Sequence, residues 1–248
     1  MNLQNNAVLM RLSIGLPGEA RQDNPLTEKV KGENHLGAKS GRWVKALYPA
    51  EALKPVKEVD GQARKYHDSV TLPFDAGVGI LPAALIVEYG DKMRKFKGQR
   101  EHQVQSHFLA KYQTWVDWAK AEHNGTFDPS LYPGTTEIAE KFYFKCEPLP
   151  VPSGTHFTNT VSTLLGTDVD TVNAKVADAA KEAQRELLRR LTAPVKHMVT
   201  TLSKEDPRIF DSLIGNVQDI LRVAPALNLG QDPVIDGFIA QMQTLVRL

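Results

Sequence analysis

The chain has 248 residues, of which 42% are hydrophobic and 24% charged, values that are ordinary for a soluble globular protein. A formal net charge of +1 neither favours nor excludes a nucleic-acid partner, while the single cysteine, Cys146, excludes an intrachain disulfide and a metal site built on cysteines. No apolar run approaches the ~20 residues of a membrane span, and the N-terminus lacks a basic leader, so we expect a cytoplasmic protein without membrane contact.

The first third of the chain predicts one strand and one helix separated by a polar stretch. Residues 8–16 alternate at their end and stop at a Pro-Gly pair, which is typical of a strand. Residues 19–47 are polar and rich in lysine and glycine, so we expect a flexible arm or loop followed by a short helix. A helix then runs from Pro49 to about Ser69, despite Pro55 in its early turns.

The middle of the chain predicts a long helix over about residues 82–123. Its apolar residues recur mostly three, four or eight apart and form one stripe: Tyr89, Met93, Phe96, Val104, Phe108, Tyr112, Trp115 and Ala119. The helix would be roughly 60 Å long. The Gly77-Val-Gly79 pair before it lacks the further residues of a phosphate-binding loop, so we interpret it as a turn.

The remainder predicts a short helix begun by Thr135 or Thr136, a strand over 142–151, a possible strand over 156–160, and then helices. The first helix starts at Asp168, the next at Asp206-Pro207, ending at Pro225, and the last at Asp232-Pro233. We therefore expect an α+β protein, with a small, mostly antiparallel sheet packed on the long central helix and a C-terminal helical hairpin or bundle. The predicted division is an α+β domain over 1–165 and a helical region over 166–248.

Residues with catalytic potential do not form a recognisable pattern. His102 and His107 are five apart, which does not bring two rings to one metal, and no His-Glu-x-x-His run occurs. Ser153 lies in a proline-rich loop, and a lone cysteine is more often a small buried hydrophobe than a nucleophile. We expect a non-enzymatic protein with no catalytic residue, no metal and no cofactor.

A cluster of basic residues on the long helix predicts contact with nucleic acid. Basic side chains that neutralise phosphates, beside rings on which bases stack, are what single-strand binding requires. The alternative is that the charges are a solvated helix face and the stripe aromatics are core. The candidate nucleic-acid residues are Lys92, Arg94, Lys95, Lys97 and Arg100 on the helix, assisted by Arg42 and Trp43 upstream, with Trp118, off the stripe, as a further stacking surface.

The last helix predicts either closure of the bundle or a protein interface, and the sequence does not separate the two. Its apolar face carries the candidate interface residues Phe238, Ile239, Met242 and Val246. Through this face the chain would form a homo-oligomer or bind another protein.

The block from Tyr66 to Phe144 resembles an uncharacterised family, a domain of unknown function carried by bacteriophages and mobile elements. The matching segments are Tyr66-His67, Thr71-Leu-Pro-Phe74, Ile80-Leu-Pro-Ala83, Tyr89, Met93, Phe96, Tyr132-Pro133, Phe142 and Phe144. Because genes of this family often lie near phage recombination, replication or AAA-type ATPase genes, the resemblance implies a DNA-transaction or accessory role inside a bacterial host cell. It transfers no functional residue. Our hypothesis is a protein that binds single-stranded DNA. The alternative is an adaptor or inhibitor that binds a phage or host DNA-processing protein, or an AAA-type ATPase, through its C-terminal helices.

Overall fold

The computed structural model describes residues 3–75, 77–152, 169–204 and 211–246 and shows an α+β fold. The strands among these residues are β1 (Ala7–Gly15), β2 (Ala20–Gln22), β3 (Val44–Ala46), β4 (Leu72–Asp75), β5 (Val78–Pro82) and β6 (Tyr143–Leu149). The α-helices are α1 (Leu3–Asn6), α2 (Asn24–Glu33), α3 (Ala50–Val70), α4 (Ile86–Gln103), α5 (Tyr112–His123), α6 (Thr135–Glu140), α7 (Val169–Leu202), α8 (Asp211–Leu227) and α9 (Pro233–Val246).

Four of the strands form one small sheet in the order β4-β5-β1-β6, and β2 and β3 form a separate two-stranded ribbon. Strand β5 pairs antiparallel with both β4 and β1, and the ribbon is also antiparallel. Gly77 lies in the turn between β4 and β5 with φ of 72°, a conformation that glycine adopts without steric cost. Gly77 therefore lies in a turn, as predicted, whereas Gly79 belongs to β5 and pairs with Met10. The predicted packing of the sheet on the long helix stays a prediction.

The chain forms two compact units, and each is assembled from separated stretches of sequence. The first unit contains residues 1–12, 64–93 and 146–248, and the second contains residues 13–63 and 94–145. The predicted domain boundary at 165–166 lies outside the described residues, as do the possible strand over 156–160 and the predicted starts at Asp168 and Asp206-Pro207.

The first unit is built around its C-terminal helices. Helix α7 packs on α8 and on β4, while α8 packs on α9 and on β5. The predicted start of α9 is confirmed, because the Val234 N–H donates a hydrogen bond of 2.8 Å to Asp232 Oδ1. The prediction that Pro225 ends α8 is wrong. The helix continues to Leu227, since a proline this close to the C-terminus removes only one N–H from the final turns.

The second unit has an aromatic core between α3, α5, α6 and the turns that connect them. Phe108 is fully buried, its ring lies 5.2 Å from that of Tyr48, and its backbone carbonyl accepts a hydrogen bond of 3.2 Å from Trp115 Nε1. The buried members of this core are Leu47, Tyr48, Ala52, Leu53, Phe108, Tyr112, Trp115 and Ile138. These residues bring together three chain stretches that the sequence leaves far apart.

The predicted long helix is present but is not one regular α-helix. Helical turns run from Ala83 to His123, and a π-helical turn over Val104–Phe108 and a 3₁₀ turn over Leu109–Lys111 separate α4 from α5. The π turn takes in more residues than an α turn, and Val104 and Phe108 within it are buried, as is Tyr112 after it. The prediction of one continuous α-helical period over residues 82–123 is therefore wrong.

The polar stretch over 19–47 is more ordered than expected. It holds β2, α2 and β3, and α2 begins at a standard cap, where the Leu26 N–H donates a hydrogen bond of 3.0 Å to Asp23 Oδ1. Helix α2 buries only Thr27, so its sequence carries no apolar stripe that would have predicted it. A smaller correction concerns α6, which begins after Gly134 without the side-chain cap expected from Thr135 or Thr136.

Candidate nucleic-acid interface

Four of the five predicted basic residues on the long helix are exposed. Lys92 lies at the end of the first unit's share of α4, and Arg94, Lys95 and Lys97 belong to the second unit. Arg94 and Lys97 are three residues apart and share one side of the helix, whereas Lys95 lies about 100° round from Arg94. Lys97 Nζ also lies 3.9 Å from Glu101 Oε1, and both side chains are exposed. The helix therefore presents a broad, partly compensated positive surface.

Arg100 must be removed from the predicted set, because it is a buried structural residue. Its side chain is 3% exposed, and its Nε donates a hydrogen bond of 2.6 Å to Asp60 Oδ1, which is as deeply buried. Its Nη2 donates another of 2.6 Å to the Gly15 carbonyl, and the guanidinium lies 5.7 Å from the centre of the Phe142 ring. A guanidinium held in this way is inaccessible to an external phosphate.

Arg42 and Trp43 lie on the surface, immediately before β3. Trp43 is 51% exposed, and its backbone N–H and carbonyl are both hydrogen-bonded. The Trp43 N–H donates a hydrogen bond of 2.9 Å to Thr27 Oγ1, and the Trp43 carbonyl accepts one of 3.0 Å from the Asp23 N–H. Beside the indole is a shallow groove of about 130 Å³ that Arg42 and Leu36 also line. Trp43 is thus an exposed aromatic surface on an ordered backbone.

Trp118 presents a smaller surface than Trp43. It is half-buried on α5, and its ring packs against that of His123 with 6.3 Å between the ring centres. The His123 ring is held in turn by the Ala46 carbonyl at 2.6 Å from Nε2. Part of the indole is therefore already in contact with the protein.

Each unit also contains a cleft that the sequence patterns did not indicate. In the second unit a cleft of about 600 Å³ is lined by the β2–β3 ribbon, including Arg21 and Lys45, and by the turns over residues 125–131. These positions follow no recognisable spacing, because the turn and the ribbon come together only through the fold.

The cleft of the first unit has a volume of about 480 Å³ and contains a buried histidine. His67 Nδ1 lies 2.8 Å from the Tyr89 hydroxyl, and burial lowers the pKa of the imidazole, which favours its neutral form. Arg190 also lines this cleft, and it donates hydrogen bonds of 2.8 Å to Glu186 and to the Thr71 carbonyl. No group of three or more histidine, cysteine or acidic side chains in the described part of the chain is arranged to hold a metal.

The predicted protein interface on α9 is largely internal. Ile239 is 4% exposed and Met242 is 2% exposed, so both belong to the core of the first unit and are corrections to the predicted set. Phe238 is half-buried, and the side chain of Val246 lies outside the described residues. The burial of α9 favours closure of the helical bundle, one of the two roles that its sequence left open.

Among the described residues, no helix combines the length and the apolar character needed to cross a membrane. No protein-family model matches this chain, no curated protein does, and no solved structure does. The resemblance to a family carried by phages and mobile elements therefore stays a prediction.

Proposed function

We propose that this protein binds single-stranded DNA through its second unit, in the recombination or replication of a phage or mobile element. Trp43 provides a surface on which an unpaired base stacks. Arg42, Arg94, Lys95 and Lys97 provide positive charge for the phosphates.

The observation that carries the proposal is the exposed indole of Trp43 on its fixed backbone. A tryptophan in a core stabilises the fold through the apolar surface that it buries. Trp43 leaves much of that surface exposed on an ordered backbone, so the surface is available to a ligand. Stacking on an exposed ring also favours a single strand, because the bases of a duplex are already stacked on each other.

The first test is the affinity of the full chain for a fluorescent single-stranded oligonucleotide and for a duplex of the same length, by anisotropy at several salt concentrations. We expect tighter binding of the single strand and a steep loss of affinity with salt. We expect Trp43→Ala to weaken single-strand binding about five- to a hundredfold, the range for loss of one stacked base.

A matched control is Tyr143→Ala, which removes another exposed aromatic ring of the second unit, 46% exposed, that the proposal does not use. Its affinity should equal that of the wild type. The salt slope is the steepness with which the logarithm of the affinity falls with the logarithm of the salt concentration. Replacing both Arg94 and Lys95 by glutamine should reduce it by roughly 1.4, since each phosphate contact contributes about 0.7 for a single strand. Absence of binding at 50 mM salt, or equal affinities of Trp43→Ala and wild type, would contradict the proposal.

The adaptor alternative receives less support. Two of its four anchor residues, Ile239 and Met242, are occupied in the core of the first unit. Homo-oligomer formation and a partner protein or ATPase stay predictions from the sequence.

A further inference from the structure

The cleft of the second unit is formed in part by the strand that directly follows Trp43. We call it the ribbon cleft: it is bounded by the β2–β3 ribbon, the first turn of α2 and the turns over residues 125–131. Its volume of about 600 Å³ is within the range of ligand-binding sites in proteins.

Lys45 is the fixed cation of the ribbon cleft. Its side chain is 9% exposed, and its Nζ donates hydrogen bonds of 3.0 Å to Asp23 Oδ2 and 2.9 Å to the Thr126 carbonyl. An ammonium group has three N–H donors, so these two bonds leave one for a further acceptor. Asp23 is fully engaged, because its other oxygen caps α2. Its pKa is lowered first by the Leu26 N–H and then by Lys45.

Arg21 and Lys29 add exposed positive charge to the cleft. Arg21 is directly opposite Lys45 across the ribbon, and Lys29 lies on α2. The opposing charge is Asp128, whose pKa is lowered by the hydroxyl and N–H of Ser130 and also by the fields of Lys45 and Arg21. Three cations and two carboxylates line the cleft, so its charge favours an anion.

The ribbon links the cleft to Trp43. Trp43 precedes Lys45 by two residues, and the rise along a strand places their Cα atoms about 7 Å apart. We propose that the ribbon cleft binds a backbone phosphate of the strand whose base stacks on Trp43. This inference rests on the function proposed above.

The test uses two variants of the full chain that change the cleft's charge in opposite directions. We expect Arg21→Gln to weaken single-strand binding and to lower the salt slope by about 0.7, which corresponds to one phosphate contact. We expect Asp128→Asn to tighten binding at low salt by about two- to fivefold, because it removes a repulsive charge. Asparagine retains the oxygen that accepts from the Ser130 N–H, so the turn should be preserved.

The matched control is Lys120→Gln, which removes an exposed charge of the same unit that does not line the ribbon cleft. Its affinity and slope should stay closer to the wild type than those of Arg21→Gln. Thermal melts of all variants check that the fold is intact. A thermal-shift titration of wild type and Arg21→Gln with pyrophosphate identifies any binding of free phosphate.

The outcomes separate this inference from the proposed function. If the wild type binds no single strand, both are overturned. If Trp43→Ala weakens binding but the Arg21 and Asp128 variants match the Lys120 control, only the cleft inference is overturned. A pyrophosphate-dependent rise in Tm that Arg21→Gln abolishes, with strand binding unchanged, would assign the cleft to a free phosphate compound and overturn the strand contact.

Discussion

The ion pair between Arg100 and Asp60 joins α3 to α4 inside the second unit. Both side chains are at least 97% buried, and the nitrogen–oxygen distance is 2.6 Å. Burying two charges is costly, so such a pair adds little stability relative to two apolar residues. Removing only one partner, however, leaves a charge without compensation. The role of Arg100 is therefore to compensate Asp60.

We expect Arg100→Met to lower the free energy of unfolding by about 3–5 kcal/mol, measured by urea denaturation. The double variant Arg100→Met with Asp60→Leu should recover much of that loss, because no buried carboxylate remains. At temperatures where Arg100→Met is still folded, its salt slope for single-stranded DNA should equal that of the wild type. A lower slope with unchanged stability would return Arg100 to the nucleic-acid contacts.

The burial of Arg100 could have been recognised from the sequence. The apolar stripe steps from Phe96 to Val104, and Arg100 occupies the position four residues from each, so it lies on the core face. Its partner could not have been identified in this way. Asp60 is 40 residues away in the sequence, and the residues around it do not distinguish it from other carboxylates on helices. The exposure of Trp43 was also out of reach, because it depends on where α2 and the ribbon lie.

At the scale of elements, the π turn in the long helix affects which residues face the core. From Phe96 to Tyr112 the buried residues are spaced four apart in four consecutive steps, which is 16 residues. In a regular α-helix, 16 residues would place Tyr112 about 160° round from Phe96. The wider turn over Val104–Phe108 absorbs more of this drift than the tighter 3₁₀ turn over Leu109–Lys111 adds, and Phe108 and Tyr112 are both buried.

We predict that deleting Gln105, an exposed residue of the π turn, converts it into an α turn. The distance from Phe96 to Tyr112 then becomes 15 residues, closer to a whole number of turns, so the stripe is retained at a cost of about 1–2 kcal/mol. Deleting the exposed Glu58 from the regular helix α3 should cost more than about 3 kcal/mol, because it rotates Asp60 and Ala63 out of the core. Urea denaturation of both variants checks the order, and equal losses would contradict this account of the π turn.

The elements that the sequence predicted well are those with a sustained period. Helix α3 and helix α7 each carry an apolar stripe over many turns, and β1 ends at a clear Pro-Gly stop, so their locations agree closely with the structure. The ribbon strands β2 and β3 have three residues each, too few to show alternation. Short elements of this kind are stabilised by contacts with distant parts of the chain, which a local pattern does not contain.

At the scale of the whole molecule, the first unit depends on residues from three separate stretches of the chain. Its C-terminal helices are tied to the middle stretch by specific contacts. Arg190 on α7 donates a hydrogen bond of 2.8 Å to the Thr71 carbonyl, and Arg222 on α8 lies 2.6 Å from Glu88. Helix α7 also packs on β4, so part of its apolar face is covered by residues that precede it by about a hundred positions.

We therefore expect the C-terminal region, expressed alone as residues 166–248, not to reproduce the stability of the full chain. Without β4, β5 and the Thr71 carbonyl, apolar surface of α7 and α8 is exposed to water, which weakens cooperative packing. Circular dichroism should show helix that melts broadly and at least about 10 °C below the full chain, together with binding of a hydrophobic dye. Co-expression with residues 1–152 should restore a sharp transition, because it returns the missing strands in trans. If the isolated fragment melts as sharply and at the same temperature as the full chain, the helices fold independently, and the inferred dependence on β4 and β5 is wrong.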